Sequence, residues 1–451
     1  MSKDNILSQM PIDLGDNLKL RFATPDDIEV LTEFNARLHE AVNIGTSVRD
    51  LMSGDHPTCK ASDFTVVEDT KTQKIVSSAC LISQTWTYSG IPFKFGQPEF
   101  VATEPEYRRR GFVRKQFEVI HALSEAHGEL MQGITGIPWY YRLFGYEMAL
   151  DMEAEQVIDG MHIPSLKKEE TETCCLRPRT EADNAFIQEL YANAIQSHVF
   201  ACPRTSALWE YEFNGRSAGS DARHEWLLIE DMEGERLGYV QHLQWCFEGF
   251  SESGNPGTNF LVMRMELKQG IGYLHLIPSL LRALWEKAQT TPVTPENKNS
   301  EVVGIQFMLG REHPVYKTLP KGFVRKEPPY AWYIRVPDLT ALLRHIRPAL
   351  EKHLIGTVAE NYTGELKLNF FRNGIHLKFH HGNLTEIADW TPEDIEDGDA
   401  QFPDLTFLKL LCGRCRTEEL ASSYADCWAS GTAAVLLDCL FPSFKSEVWH
   451  L

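Results

Sequence analysis

The sequence predicts a mixed α/β (α+β) fold in three units, and three observations carry that reading. At 451 residues the chain is too long for one ordinary core. Two segments open alike: LRFATPDDIEVLTEFNA from Leu20 and LRPRTEADNAFIQELYA from Leu176. At one fixed offset they share Leu20/Leu176, Arg21/Arg177, Thr24/Thr180, Asp27/Asp183, Glu33/Glu189 and Ala36/Ala192. From about Pro329 the texture changes and that opening does not recur. The units are therefore placed at 1–165, 166–328 and 329–451.

Each shared opening reads as a strand end, a Thr-x-x-Asp turn that caps a helix, then helical periodicity. VVEDTKTQKIVSSACLISQTWTYSGIPFKFGQPEFVAT follows as successive strands, with polar turns at TKTQK and YSGI. A helix from about Gly111 to Ala126 is predicted because Val113, Phe117 and Ile120 recur at i, i+4 and i+7, one buried stripe. LMQGITGI reads as a strand, WYYRLFGY as a short helix and turn, and EMALDMEAEQVI as one further strand. In the second unit EWLLIED, RLGYVQHLQW, NFLVMRMEL and VVGIQFML read as strands, IPSLLRALWEKA as a helix and QTTPVTPENKNS as a polar loop. The third unit begins with AWYIRVPDLTALLRHIRPALEKHL, a strand leading into a helix. GELKLNFFRNGIHLKFHHG then reads as a hairpin turning at Arg-Asn-Gly. After the acidic stretch TPEDIEDGDAQFPD, LTFLKLLCG and TEELASSYADCW are helical.

Composition narrows the partners. With 44 Lys+Arg against 63 Asp+Glu the formal charge is −19, which argues against nucleic-acid and anionic-membrane binding, since both need a basic field. The same balance favours cationic partners such as amines. MSKDNILSQMPIDLGDNLKL has no apolar core or cleavage pattern, so no leader is expected, and no run of about 18 apolar residues suggests a membrane span. Ten scattered cysteines read as reduced thiols in a cytoplasm. Cys412-Gly-Arg-Cys415 lacks the second pair a zinc site needs, and His380-His381 reads as an ordinary pair in a hairpin, so no metal is expected.

The positive charge that does exist is concentrated in EYRRRGFVRKQF, residues 106–117. A helix beginning beside Gly111 presents unpaired N–H groups and the positive end of a dipole. Glycine leaves room for a phosphate against the backbone, and flanking arginines add charged donors. The stretch reads as a pyrophosphate cradle, or as a solvated basic loop.

The wider segment FVATEPEYRRRGFVRKQF resembles the coenzyme-A-binding segment of the GNAT superfamily of N-acetyltransferases. Arg108, Gly111 and Val113 match its Arg/Gln-x-x-Gly-x-Gly/Ala pattern, with Val113 standing where a small residue is usual. GIPWYYRLFGYE resembles the family's Tyr-x-x-Phe-Gly-Tyr/Phe segment at Tyr141, Phe144, Gly145 and Tyr146. The three-part organisation, closing on FLKLLCGRCRTEELASSYADCW and LLDCLFP, resembles the enhanced-intracellular-survival (Eis-like) branch. That branch pairs two tandem GNAT-like mixed-sheet domains with a smaller sterol-carrier-like α+β domain.

The resemblance implies acetyl-CoA as co-substrate, with no metal, and a small cationic amine as acceptor: an aminoglycoside, a polyamine or a lysine side chain. It implies that backbone groups of Val101, Ala102 and Thr103 pair with the pantetheine arm. Residues Arg108, Arg109, Arg110, Gly111, Phe112, Val113 and Arg114 would hold the pyrophosphate. Tyr141 aligns with the general acid that protonates the departing thiolate, with Tyr140 its adjacent rival, and a phenol with pKa near 10 suits that role. The branch also implies that a terminal carboxylate, here on Leu451, helps take the amine proton, and that the protein forms a closed homo-oligomer. The second unit shows no Arg-x-x-Gly-x signature at GIGYLHLIPSLL, so one cofactor site is expected, in the first unit. The competing reading is a protein that binds an apolar ligand in its third unit and uses the others as scaffold.

Overall fold

A computed structural model describes residues 4–152, 155–250, 256–311, 313–320, 324–327, 330–403, 405–443, 446 and 448. It is a mixed α/β fold organised on three sheets. The first sheet runs Ile12–Gly15, Leu18–Phe22, Phe64–Asp69, Lys74–Tyr88, Ile91–Thr103, Met131–Ile134, Tyr330–Arg335 and Glu147–Met152, with Phe200–Ala201 added on Lys74–Tyr88. The second runs Val324–Glu327, Glu155–Asp159, Val302–Met308, Pro256–Leu267, Arg236–Leu243, His224–Glu230 and Cys175–Pro178, with Phe247–Phe250 on Pro256–Leu267. The third runs Asn383–Trp390, Gly374–His380, Gly364–Asn369, Ala400–Gln401 and Trp428–Ala429.

The repeated openings fold to the same local geometry. Arg21 grips Asp27 with two nitrogens at 2.8 Å and donates its Nε to Glu68 at 2.7 Å. Arg177 grips Asp183 at 2.7 and 2.9 Å and donates its Nε to Glu230 at 2.8 Å. In each copy the backbone N–H and hydroxyl of the threonine, Thr24 or Thr180, donate to the aspartate that closes the turn. Each aspartate is thus held below the usual carboxylate range; Asp27 is pushed up by burial but pulled down further by Arg21, and Asp183 is held down chiefly by Arg177.

The sheets divide the chain differently from the boundaries at 165/166 and 328/329. EMALDMEAEQVI is two strands: Glu147–Met152 ends the first sheet, while Glu155–Asp159 lies in the second, between Val324–Glu327 and Val302–Met308. Tyr330–Arg335, which opens the third unit by sequence, inserts into the first sheet between Met131–Ile134 and Glu147–Met152. Its Trp332, Tyr333 and Ile334 are fully buried, as both faces of a central strand require. One apolar cluster therefore runs from Trp86 and Phe95 through Trp332 to Leu342, Leu377 and Leu437 on the third sheet and its helices. The expected helix after that strand is split into Leu339–His345 and Arg347–Leu354. The hairpin is present, its strands Gly364–Asn369 and Gly374–His380 joined through a hydrogen bond from Phe370 N–H to the Asn373 carbonyl.

Candidate active site

The site begins where two parallel strands part. Ile91–Thr103 and Met131–Ile134 pair only at Phe95/Met131 and Gly96/Gln132. Tyr330–Arg335 pairs along the opposite edge of Met131–Ile134, and beyond Gly96 the edge of residues 97–103 that faces Met131–Ile134 has no strand partner among the described residues. Phe100 sits at φ +52°, where the register against Lys74–Tyr88 slips between Ser78/Ala102 and Cys80/Glu99. This bulge turns the strand end outward, leaving Val101, Ala102 and Thr103 to offer backbone groups to an extended ligand.

The arginine loop follows directly. Gly111 adopts φ +81°, a conformation that disfavours any side chain, and a Cβ there would meet nothing within 4 Å. It caps the helix Phe112–His127, whose first-turn N–H groups have no side-chain cap. Phe112, Gln116, Phe117, Val119 and Ile120 are buried against the sheet, and Gln116 locks the helix by accepting from Ser77 Oγ (2.7 Å) and donating to the Thr65 carbonyl (3.1 Å). The three arginines point three ways. Arg108 donates to the Thr103 carbonyl, Arg110 pairs with Asp16 over the Tyr107 and Phe112 rings, and Arg109, at φ +63°, has no side-chain partner among the described residues. Arg114 lies 5.9 Å over the Phe144 ring.

Across the gap, the segment GIPWYYRLFGYE builds an aromatic cage around Phe117. Phe144 stacks on it at 4.7 Å, Tyr141 lies at 5.8 Å and Tyr146 meets it edge-on at 6.1 Å. Tyr146 is core: its hydroxyl donates to Gln132 Oε1 at 3.2 Å and lies 3.0 Å from His121 Nε2. Tyr141 is 7% exposed and lines the cavity, with Tyr140 half-buried beside it. Burial pushes both phenols up, so both stay protonated near neutrality. Gly136 packs on the Tyr141 ring so closely that a Cβ would lie 2.5 Å from it. The Gly136 and Ile137 carbonyls accept from the Tyr330 and Tyr333 hydroxyls at 2.5 and 3.3 Å. The strand borrowed from beyond residue 329 thus holds the loop that seats Tyr141.

These groups converge on one cavity of about 1290 Å³. Val101 to Thr103, Arg108 to Arg114, Tyr140 and Tyr141 all line it, and its far wall comes from the second sheet and the loop before it, including Asp221, His224 and Arg264. Between them stands Glu99, which sequence reasoning missed. Burial raises its carboxyl to about 7, against hydrogen bonds from Gln97 Nε2 (2.8 Å) and Thr135 Oγ1 (3.5 Å) that favour the ionised form. Behind it, Gln97 accepts from Gln84, which accepts from Trp86 Nε1 at 2.7 Å. The only sequence signal was a carboxylate in the strand segment GQPEFVAT, two residues before Val101.

The far wall is clamped to the first sheet's helices. Ser217 donates its N–H (2.9 Å) and hydroxyl (2.5 Å) to Asp50, and Ser47 donates to Asp221. Behind that wall Glu212, fully buried, accepts from Arg216 at 2.7 Å, with Arg204 and His224 within 4.0 Å. Leu451 lies outside the described residues, while Ser446 and Val448 line the cavity. Cys412 is buried and Cys415 half-buried in the turn between helices Phe407–Leu411 and Thr417–Ser423, both as free thiols. The His380 and His381 rings meet edge-on at 4.4 Å, and no cluster of three or more metal-ligating side chains occurs among the described residues. Nor is any helix among them long and apolar enough to cross a membrane.

Residues 19–149 match the family model for the acetyltransferase (GNAT) domain. No curated protein matches the chain by sequence. Among solved structures, a GCN5-related N-acetyltransferase from Anabaena variabilis superposes with a TM-score of 0.63 at 16% identity, over 96% of this chain and 99% of that one. A conserved protein from Enterococcus faecalis described as a probable N-acyltransferase gives 0.62 at 13% identity, over 95% and 97%. Eis1 from Mycobacterium abscessus gives 0.60 at 12% identity, over 96% and 98%. At these identities the likeness is one of fold.

Proposed function

With a GNAT acetyltransferase domain at residues 19–149 as premise, we propose that this chain transfers an acetyl group from acetyl-CoA directly to a primary amine. The observation that carries the reading is the pairing of an open strand edge at 97–103 with an uncapped helix N-terminus at Gly111, both facing Tyr141 and Glu99 across one cavity. The site suits coenzyme A: the strand edge fits the amides of an extended arm, and the open space before Gly111 fits phosphate oxygens.

Acetyl-CoA supplies the thioester; the chain supplies orientation and proton transfer. The neutral amine nitrogen attacks the thioester carbon, and the N–C bond forms as the C–S bond breaks. Backbone N–H groups on the open Ile91–Thr103 edge stabilise the oxyanion. Glu99, poised near neutrality, takes the proton from nitrogen. Tyr141, held protonated by burial, gives its proton to the departing thiolate. Where the chain ends at Leu451, its carboxylate is a second acceptor for the amine proton, a role supported by Ser446 and Val448 on the cavity wall. The partner of this reading is a small cationic amine, the assembly a closed homo-oligomer and the location cytoplasmic, which ten free thiols support. The apolar-ligand alternative is not favoured, because the inner face of the third sheet, with Leu366 and Leu377, is packed against buried helix side chains such as Leu437.

The test is release of coenzyme A from acetyl-CoA across a panel of amines, with Tyr141→Phe beside wild type. Turnover with one class, reduced about tenfold or more in Tyr141→Phe, is the expected result. Unchanged turnover in the variant would move the acid to Tyr140 or water, and no turnover with any amine would sink the proposal.

A further inference from the structure

A tight turn of the third unit abuts the segment that carries Tyr141. Helix Phe407–Leu411 ends on Cys412 and Gly413, the latter at φ +68°, a conformation that favours glycine. The N–H groups of Arg414 and Cys415 then both donate to the Lys409 carbonyl, at 2.9 and 3.1 Å, and Ser443 Oγ donates to the Gly413 carbonyl at 3.0 Å. Cys412-Gly-Arg-Cys415 is therefore a helix cap, and it fixes two cations, Lys409 and Arg414, against one another.

Both cations lead to Tyr141. Arg414 Nη1 lies 3.0 Å from Asp151 Oδ1 and donates to the Tyr330 carbonyl at 3.5 Å. Asp151 is held in turn by Arg311 of the second unit at 2.7 Å. The Tyr330 hydroxyl donates to the Gly136 carbonyl, and Gly136 packs on the Tyr141 ring. Lys409 takes a second route. Its Nζ lies 3.6 Å from Glu147 Oε1, and Glu147 accepts from Arg142, the residue after Tyr141, at 2.7 and 3.1 Å. Burial pushes the Glu147 carboxyl up, but Arg142 and Lys409 pull it down further, so it stays ionised between them. Lys409 and Glu147 are each 13% exposed, so water and salt screen this pair less than a surface pair. Neither Lys409 nor Arg414 is among the described residues that line the cavity.

We propose that Lys409 and Arg414 are positioning residues for Tyr141: through Glu147–Arg142 and through Tyr330–Gly136 they fix the phenol at the cavity, so the third unit governs the rate of acetyl transfer without touching acetyl-CoA. The inference rests on the acetyl-transfer reading above and on Tyr141 as its acid. A proton donor acts only within hydrogen-bond reach of the departing thiolate, so a small displacement of the ring costs rate.

The test is a double-mutant cycle on the full chain: wild type, Arg414→Ala, Tyr141→Phe and the two together. Coenzyme A release is read with the most active amine of the panel at saturation while acetyl-CoA is varied. Arg414→Ala is expected to lower kcat at least about threefold with KM for acetyl-CoA within about twofold, because the acid is misplaced while the cofactor cradle is intact. In the Tyr141→Phe background the same substitution is expected to cost less than about twofold, since the group it positions is already gone. An equal loss in both backgrounds overturns the inference. So does an unchanged kcat in the folded variant, or a rise in KM for acetyl-CoA in place of the fall in kcat. Lys409→Met is read by the same criteria if Arg414→Ala does not fold. Tyr141→Phe as active as wild type overturns this inference and leaves acetyl transfer standing. No turnover by the wild-type chain with any amine overturns both.

Discussion

Replacing Glu99 by glutamine isolates the proposed proton acceptor. With its carboxyl raised to about 7 by burial, Glu99 is roughly one-tenth ionised at pH 6 and nine-tenths at pH 8. A positioned general base contributes roughly 10²–10⁴ in rate, so Glu99→Gln is expected to lower kcat/KM by about a hundredfold at pH 8. The acceptor's own ammonium titrates in both enzymes, so the informative quantity is the wild-type to variant ratio of kcat/KM. That ratio should climb about ninefold between pH 6 and pH 8. The groups facing Glu99, which include Gln97, Thr135, Cys80, Asp221 and Tyr141, are common to both proteins. A stability signature accompanies the kinetic one. The unfolded chain ionises this carboxyl near 4.5 while the folded chain keeps its proton to about 7, so folding stability falls as pH rises through that window. Glu99→Gln should remove that fall in a urea-denaturation series. A rate ratio that is flat from pH 6 to pH 8 would refute Glu99 as the base.

Three further outcomes follow from packing. Gly136→Ala drives a Cβ to 2.5 Å from the Tyr141 ring, so about 1–3 kcal/mol of stability should be lost in thermal melts, with kcat falling as the phenol is displaced. Gly111→Ala meets no neighbour but strains a φ of +81° by about 1–2 kcal/mol and narrows the phosphate approach, so KM for acetyl-CoA should rise with kcat little changed at saturation. Glu212→Gln removes the buried carboxylate that Arg216 and Arg204 share, at a cost of about 3–5 kcal/mol by chemical denaturation, and the Asp221 wall of the cavity should loosen with it.

Much of the site was legible because it is local. The Thr-x-x-Asp caps, the helix stripe of Phe117 and Ile120, the turn at Gly111 and the segment around Tyr141 are each written within about ten residues, by backbone sterics and i, i+4 spacing. The sequence by itself therefore determined the repeated capped opening, the helix stripe and the glycine turn before it. It did not determine which sheet a strand joins. Tyr330–Arg335 reads as a buried strand wherever it is placed, and only tertiary packing against Trp86 and Tyr141 puts it in the first sheet, where Tyr330 and Tyr333 pin the loop at Gly136 and Ile137. EMALDMEAEQVI likewise continues as one apolar pattern, although its halves serve different sheets. The acidity of Glu99 was hidden for a related reason: a carboxyl's pKa is set by what surrounds it in space, and that burial and the far wall around Asp221 are assembled from residues more than a hundred positions apart.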